Sequence, residues 1–328
     1  MRFLWIALAA STAFGQASHV FKLTQGQDAH QVQEMAVLLR GTGKLGQVSV
    51  DAANETVLVA GTPGQVAVAN WLVHQLDVPA SVQVSGIHEY RPPETADDVV
   101  RVFYVNNAVS RQDLQEIVTA VRSVADVQRL FVYNALNAVA ARGNRDQMAL
   151  SAWLIDQLDR PAGVAAPGPN EYKYTGNEVA RVFELRNAQT AQQLQEMVTL
   201  IRSIGDIMRL FVNNERRAIV LRATPERVGL AAWLVHELDK PVAGQAATGD
   251  AGEAHEYRLS DDPENLVRVF YLGSPQPPQD LSKVFAQVRA NTGIRRLFVY
   301  SALDALAVRG TAGQVATAEK VLEEMKVQ

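Results

Sequence analysis

Arg101-Val102-Phe103, Arg181-Val182-Phe183 and Arg268-Val269-Phe270 are three copies of one triplet, and they decide how the rest of the chain is read. His19-Val20-Phe21 is a degenerate fourth copy at the front. Downstream of the exact copies come Leu130-Phe131-Val132, Leu210-Phe211-Val212 and Leu297-Phe298-Val299, and the first copy has Val48-Ser49-Val50 at that place. Further on stand Trp71, Trp153 and Trp233, with Lys320 at the fourth equivalent position. Every marker repeats at the same offsets of 82, 80 and 87 residues. Duplicated small units usually present surfaces, because a single catalytic centre gains nothing from fourfold copying.

Each copy repeats one order of elements. A β-rich run opens it, as in Val100 to Val105 and Ala180 to Leu185. An N-cap signature follows at Asp28-x-x-Gln31, Ser110-x-x-Asp113 and Thr190-x-x-Gln193, with Pro277-Pro278 in the fourth copy. The helix it starts carries an apolar stripe: Val32, Met35, Ala36 and Leu39, repeated as Leu114, Ile117, Val118 and Val121 and as Leu194, Met197, Val198 and Ile201. Two short strands form a hairpin through turns such as Asn213-Asn214-Glu215-Arg216. A second helix then runs to Leu76-Asp77-Val78-Pro79, Leu158-Asp159-Arg160-Pro161 or Leu238-Asp239-Lys240-Pro241, where proline forces the preceding residue out of the helical region.

The expected fold is therefore α+β: a tandem array of four β-α-β-β-α modules. Each is a three-stranded sheet with both helices on one face, closing its own small apolar interior. The boundaries expected are modules at 18–79, 99–161, 179–241 and 266–328, joined by linkers at 80–98, 162–178 and 242–265. The third linker, rich in Ala and Gly, is expected to be the most flexible. Glu89-Tyr90, Glu171-Tyr172 and Glu256-Tyr257 recur inside the linkers.

Apolar residues make up 48% and charged residues 20%, the balance of a globular chain. The formal charge of -4 and pI near 5.9 speak against a general polyanion binder, so nucleic acid is not an expected partner. Residues 1–17 read as an export signal, with Arg2 before the apolar run Phe3 to Ala10 and small residues near Ala17 for cleavage. No later stretch approaches 18 uninterrupted apolar residues, so no membrane span is expected in the mature chain. Cysteine is absent, and stability must come from packing. Export without cysteine suits a periplasm.

Chemistry has little to rest on in this sequence. His19, His30, His74, His88, His236 and His255 show no metal-ligand spacing, and there is no nucleophile elbow or phosphate loop. Asp97-Asp98 and Asp261-Asp262 fall in linkers, where nothing would tune them. No cofactor, metal or catalytic residue is expected, and the chain is read as a non-enzyme. Leu130-Phe131-Val132-Tyr133-Asn134 lacks the neighbouring aromatic strands that stacking of RNA bases needs.

The candidate interaction residues are aromatic and cationic. Trp71 falls roughly 150° from the centre of the core stripe Val66, Ala69, Leu72, Val73 and Leu76, so it points outward. Val68, Leu150 and Leu230, three residues before Trp71, Trp153 and Trp233, are expected beside them on that outer side. Tyr90, Tyr172 and Tyr257 follow the first three modules and none follows the fourth. Each Trp is thus expected to dock the following linker or module, at about 2–3 kcal/mol per junction. Arg40, Arg122, Arg202 and Arg289 recur near the end of the first helix, where a cation offsets the helix dipole or meets a partner.

The strand, amphipathic helix and hairpin, then Gly61-Thr62-Pro63 leading to Leu76-Asp77-Val78-Pro79, resemble the secretin N-domain. Ala218-Ile219-Val220-Leu221-Arg222-Ala223-Thr224-Pro225-Glu226 through Leu238-Asp239-Lys240-Pro241 is especially similar. The resemblance covers nearly all of the chain beyond the export signal. It implies a KH-like fold, a periplasmic site, and protein partners such as a secretin or another component of a type II secretion or type IV pilus assembly. Homo-oligomers are compatible with it. No strands for a secretin pore barrel are read in this sequence, so a pore-less scaffold or adaptor is the expected role. The alternative is a monomeric periplasmic protein that binds peptide or glycan through exposed tryptophans.

Overall fold

In a computed structural model of the chain, the residues described are 17–25, 28–82, 84–108, 110–161, 164, 170–241, 255–272 and 278–326. The export-signal reading, apart from Ala17, lies outside them, as do Pro277 and most of the Ala- and Gly-rich third linker.

The first repeat gives β1 (Ala17–Lys22), α1 (Ala29–Gly43), β2 (Gln47–Asp51), β3 (Thr56–Gly61) and α2 (Pro63–Leu76). The second gives β4 (Ile87–Tyr90), β5 (Asp98–Tyr104), α3 (Arg111–Ala125), β6 (Arg129–Tyr133), β7 (Ala138–Asn144) and α4 (Arg145–Leu158). In the third are β8 (Glu171–Lys173), β9 (Val179–Glu184), α5 (Ala191–Gly205), β10 (Arg209–Asn213), β11 (Ala218–Ala223) and α6 (Pro225–Leu238). In the fourth are β12 (Glu256–Arg258), β13 (Asn265–Tyr271), α7 (Pro278–Thr292), β14 (Arg296–Tyr300), β15 (Ala305–Thr311) and α8 (Ala312–Lys326).

Local chemistry sets these boundaries. Asp28, Ser110 and Thr190 each accept a hydrogen bond from the backbone N–H three residues on, and at Thr62 and Thr190 a glutamine returns the bond to the cap. The helices α1, α3 and α5 end on Lys44, Asp126 and Asp206 in the left-handed region, with φ of 56°, 58° and 57°. The aspartate that follows the second helix has a further task. Asp77 accepts from the backbone of Thr24 and Gln25, and Asp239 from Arg186, Asn187 and Ala188, so each ties down the loop after the first strand.

The sheets correct the three-stranded expectation. Among the described residues the first sheet has three strands, in the order β1-β3-β2, and the others have four, in the orders β4-β5-β7-β6, β10-β11-β9-β8 and β12-β13-β15-β14. All pairings are antiparallel. The extra edge strand is the Glu-Tyr segment of each linker, and it puts Glu89 opposite Arg101, Glu171 opposite Arg181 and Glu256 opposite Arg268. Three or four residues bounded by Gly and Pro look like linker until a partner strand is available to pair with them.

The described residues group into two compact units. One takes the chain up to Ala108 together with Val127–Ala152; the other takes Val109–Asp126 together with Trp153 onward. The first unit therefore pairs the helices of repeat 1 with sheet β4-β5-β7-β6, and the second holds α3 with the sheet of repeat 3. Its core shows why. Met35, Leu38 and Leu39 of α1 share one apolar cluster with Val100, Val102, Tyr104, Tyr133, Ala138 and Ala140 of the next repeat. In the second unit, Leu200, Ile201 and Ile204 of α5 share one with Val267, Val269, Tyr300, Ala305 and Ala307. The expectation of closed interiors is corrected accordingly: α1 and α5 are apolar on two faces, one for their own sheet and one for the sheet that follows. Gly41 marks how closely α1 approaches that sheet, because a Cβ there would sit 2.0 Å from the Phe131 ring.

Candidate protein-interaction site

Where the first helix of a repeat meets the next sheet, the same polar parts recur. On α1, Glu34 accepts from the backbone N–H of Asn134 at 3.2 Å and from its side-chain amide. On α3, Glu116 accepts from the Asn214 N–H at 2.6 Å and from its Nδ2 at 2.9 Å. On α5, Glu196 accepts from the Ser301 N–H at 3.0 Å and from its Oγ at 2.8 Å. In each case a carboxylate caps the turn that leaves the third strand of the next repeat, and charge-assisted bonds of this kind are the strong ones.

The reciprocal contact runs from sheet to helix. Arg142 of β7 donates from Nη1 to the Thr42 carbonyl at 2.9 Å, and Arg309 of β15 donates to the Ile204 carbonyl at 2.9 Å. These carbonyls lie in the last turn of α1 and α5, where backbone acceptors lack helical partners and the dipole favours a cation. Both guanidinium groups are buried and each is neutralised locally. Arg142 donates to Asp98 at 2.9 and 2.7 Å, and Arg309 to Asp262 at 2.6 Å. Arg222 of β11 has its Nε 3.1 Å from Glu178 and its guanidinium 4.3 Å above the Tyr174 ring. Burial pulls Arg222 below its usual range.

A third contact comes from the left-handed residue that ends each helix. Lys44 reaches Asp98 at 2.7 Å, Asp126 lies 3.7 Å from Arg209, and Asp206 lies 3.1 Å from Arg296. Burial alone would raise the Asp98 carboxyl, but the hydrogen bonds from Arg142 and Lys44 outweigh it and hold the group below the ordinary 3.8. Asp262 is likewise held low, chiefly by its bond from Arg309. Burial pushes Tyr133, at the centre of the first contact, up to about 12.

The tryptophans and linker tyrosines come together in pairs. Trp71 with Tyr90, Trp153 with Tyr172, and Trp233 with Tyr257 each have ring centroids 5.6 Å apart in tilted stacks. All six rings are half-buried. The adjacent glutamates pair across the added strand: Glu89 with Arg101 at 2.6 Å, Glu256 with Arg268 at 3.6 Å and Glu171 with Arg181 at 3.8 Å. The Arg of each Arg-Val-Phe triplet thus holds the linker strand on its sheet. Val68, Leu150 and Leu230 are not on the outer side with the indoles; they are fully buried.

The helix-end arginines lie apart from these pairs. Arg40 donates to the Val48 carbonyl at 2.9 Å and Arg202 to that of Leu210 at 3.2 Å, both in their own repeat. Arg289 lies 5.9 Å from the Phe285 ring centroid, and Arg122 is exposed on α3. A polar pocket of about 500 Å³ in the second unit is lined by Arg227, Arg296, Arg309, Asp206, Asp261 and Asp262, and its cations and carboxylates pair with one another. Among the described residues, no group of three or more His, Cys, Asp and Glu is placed to hold a metal ion, and no helix is long and apolar enough to cross a membrane.

Glu34, Glu116 and Glu196, and Arg142, Arg222 and Arg309, are not among the residues expected from the sequence. Both sets keep the offsets of the marker triplets, with Lys283 and Ala60 at the remaining equivalent positions. That periodicity was the information available to find them.

No family model matches the chain, and no curated protein matches it. Solved structures to which it is similar include secretins. Aeromonas hydrophila ExeD shares 19% identity over 69% of this chain and 41% of its own, with a TM-score of 0.18. A chain of the ETEC pilotin–secretin AspS–GspD complex shares 13% over 69% of this chain and 38% of its own, with a TM-score of 0.17. The N-terminal domain of the secretin XcpQ from Pseudomonas aeruginosa shares 16% over 51% of this chain and 76% of its own, with a TM-score of 0.21. The chain thus spans less than half the length of the first two.

Proposed function

We propose that the protein is a non-enzymatic periplasmic scaffold or adaptor whose product is protein–protein contact, in an envelope assembly of the secretin type. One observation carries this reading. The residues that recur through the chain serve joints: Glu34, Glu116 and Glu196 cap turns, Arg142 and Arg309 cap helix ends, and Trp71, Trp153 and Trp233 hold linker strands. A chain that spends its repeated residues on joining repeats gains an extended set of surfaces. The edge strand β2, on which no helix of a preceding repeat packs among the described residues, offers backbone groups for strand pairing with a partner. Export through residues 1–17 and division into modules at 18–79, 99–161, 179–241 and 266–328 belong to the same proposal.

The test is binding of the mature chain to the purified periplasmic N-terminal region of a secretin, measured by interferometry and by cross-linking in cells. Saturable binding that survives Trp153→Ala supports the scaffold. Absence of binding, together with saturable binding of muropeptide or peptide that Trp153→Ala abolishes, would replace it with the ligand-binding alternative.

A further inference from the structure

We infer that the helix-to-next-sheet contact is directional and closed at both ends by residue choice. Repeat 4 is therefore not built to receive a further sheet, nor repeat 1 a further helix, from a second copy of this chain. The donor face is read from α1, α3 and α5. It consists of the turn-capping glutamate, a buried small or apolar residue at Leu38, Ala120 and Leu200, another buried residue at Thr42, Val124 and Ile204, and the charged left-handed residue Lys44, Asp126 or Asp206. On α7 the equivalent positions are Lys283, Gln287, Asn291 and Gly293, and all four are exposed. Every part of the contact is replaced at once. The carboxylate acceptor becomes an ammonium, two buried side chains become amides, and the charge becomes a glycine with φ 66°. Burying these amides and the ammonium against an apolar sheet would strand polar groups without partners.

The receiving face fails in the same way at the front. Repeats 2 and 4 present Phe131 or Phe298, Tyr133 or Tyr300, and Arg142 or Arg309, while repeat 3 presents Phe211, Asn213 and Arg222. Repeat 1 has Ser49, Asp51 and Ala60 at those positions, with Ala52 where Asn134, Asn214 and Ser301 offer their N–H groups. Val20 is 53% exposed there, whereas its counterparts Val102, Val182 and Val269 are at most 2% exposed. Polar residues on the α7 face and on the sheet of repeat 1 keep copies of this chain from stacking on one another. The inference concerns contact between copies of this chain, so failure to bind a secretin leaves it standing.

Two variant sets test it by sedimentation velocity of the mature chain. The back set is Lys283→Glu, Gln287→Leu and Asn291→Ile. The front set is Ser49→Phe, Asp51→Tyr, Ala52→Asn and Ala60→Arg. Each set alone is expected to sediment as the unmodified chain does at every concentration. Their mixture is expected to form a species of twice that mass. A mixture that stays at the unmodified mass overturns the inference, as does an unmodified chain that already associates end to end. A converse variant keeps the test open should either set misfold. Glu196→Lys, Leu200→Gln and Ile204→Asn move the α7 residues onto α5. Amide exchange in β14 and β15 is expected to rise at least tenfold, and unchanged exchange would overturn the inference.

Discussion

Replacing Glu116 with alanine removes one carboxylate from α3 and leaves two donors on Asn214 without acceptors. Glu116 is only 8% exposed, so water does not easily restore the bonds at 2.6 and 2.9 Å. Stranding a buried donor costs about 1–3 kcal/mol, and bonds to a charged group sit at the upper end of that range. The expected loss for the second unit is therefore about 2–3 kcal/mol. For a unit of this size that lowers its melting temperature by about 5–10 °C. Asn214→Ala keeps the backbone N–H bond to the carboxylate and should cost about 1 kcal/mol. The double variant should lose less than the two single losses combined, with a coupling of about 1 kcal/mol. Calorimetry of the four proteins measures all three quantities. Lys283→Ala, at the equivalent exposed position on α7, is the control and should stay within about 0.5 kcal/mol of wild type. A Glu116→Ala protein that melts within 1 °C of wild type would show that this carboxylate does not hold the Asn214 turn.

Three more outcomes follow from the same geometry. Arg309→Ala removes the donor to the Ile204 carbonyl and the partner of Asp262, and should destabilise by about 2–4 kcal/mol; Arg309→Lys should recover less than half, since a lysine ammonium is a point donor without the planar fork by which Nη1 and Nη2 reach the two acceptors separately. Asp98 has a folded-state pKa below 3.8, so its contribution is present above that value and is lost as pH falls through the folded value; acid titration of stability should therefore be flatter below about pH 5 in Asp98→Asn than in wild type. In the chain from Ala17 onward the tryptophans are Trp71, Trp153 and Trp233, and their stacking on tyrosines should shift fluorescence to the blue of free indole; Trp153→Ala should cost about 2–3 kcal/mol, and an emission maximum equal to that of free tryptophan would contradict the stacks.

How far the fold was legible depended on whether a feature was local. The order of strands and helices could be read because caps such as Thr62, Ser110 and Thr190 and stops such as Pro79 and Pro241 act within a few residues. The fourth strand could not, because Glu171–Lys173 is a strand only when Val179 to Arg181 pairs with it. The shared cores were missed for another reason. The stripe through Val32, Met35 and Leu39 accounts for one face of α1, and Leu38 and Thr42 lie on the second buried face, where small or polar residues blur the pattern. A glutamate on an amphipathic helix is ordinarily solvated, so Glu34, Glu116 and Glu196 drew no notice until the turn they cap lay about a hundred residues away in sequence.

Amide hydrogen exchange on the wild type and on Glu116→Ala tests the central point most directly, namely that a repeat's first helix and the next repeat's sheet open together. Faster exchange is expected in α3 and in β10 and β11 alike, to a similar extent. Acceleration confined to α3, with β10 and β11 protected as in the wild type, would contradict it.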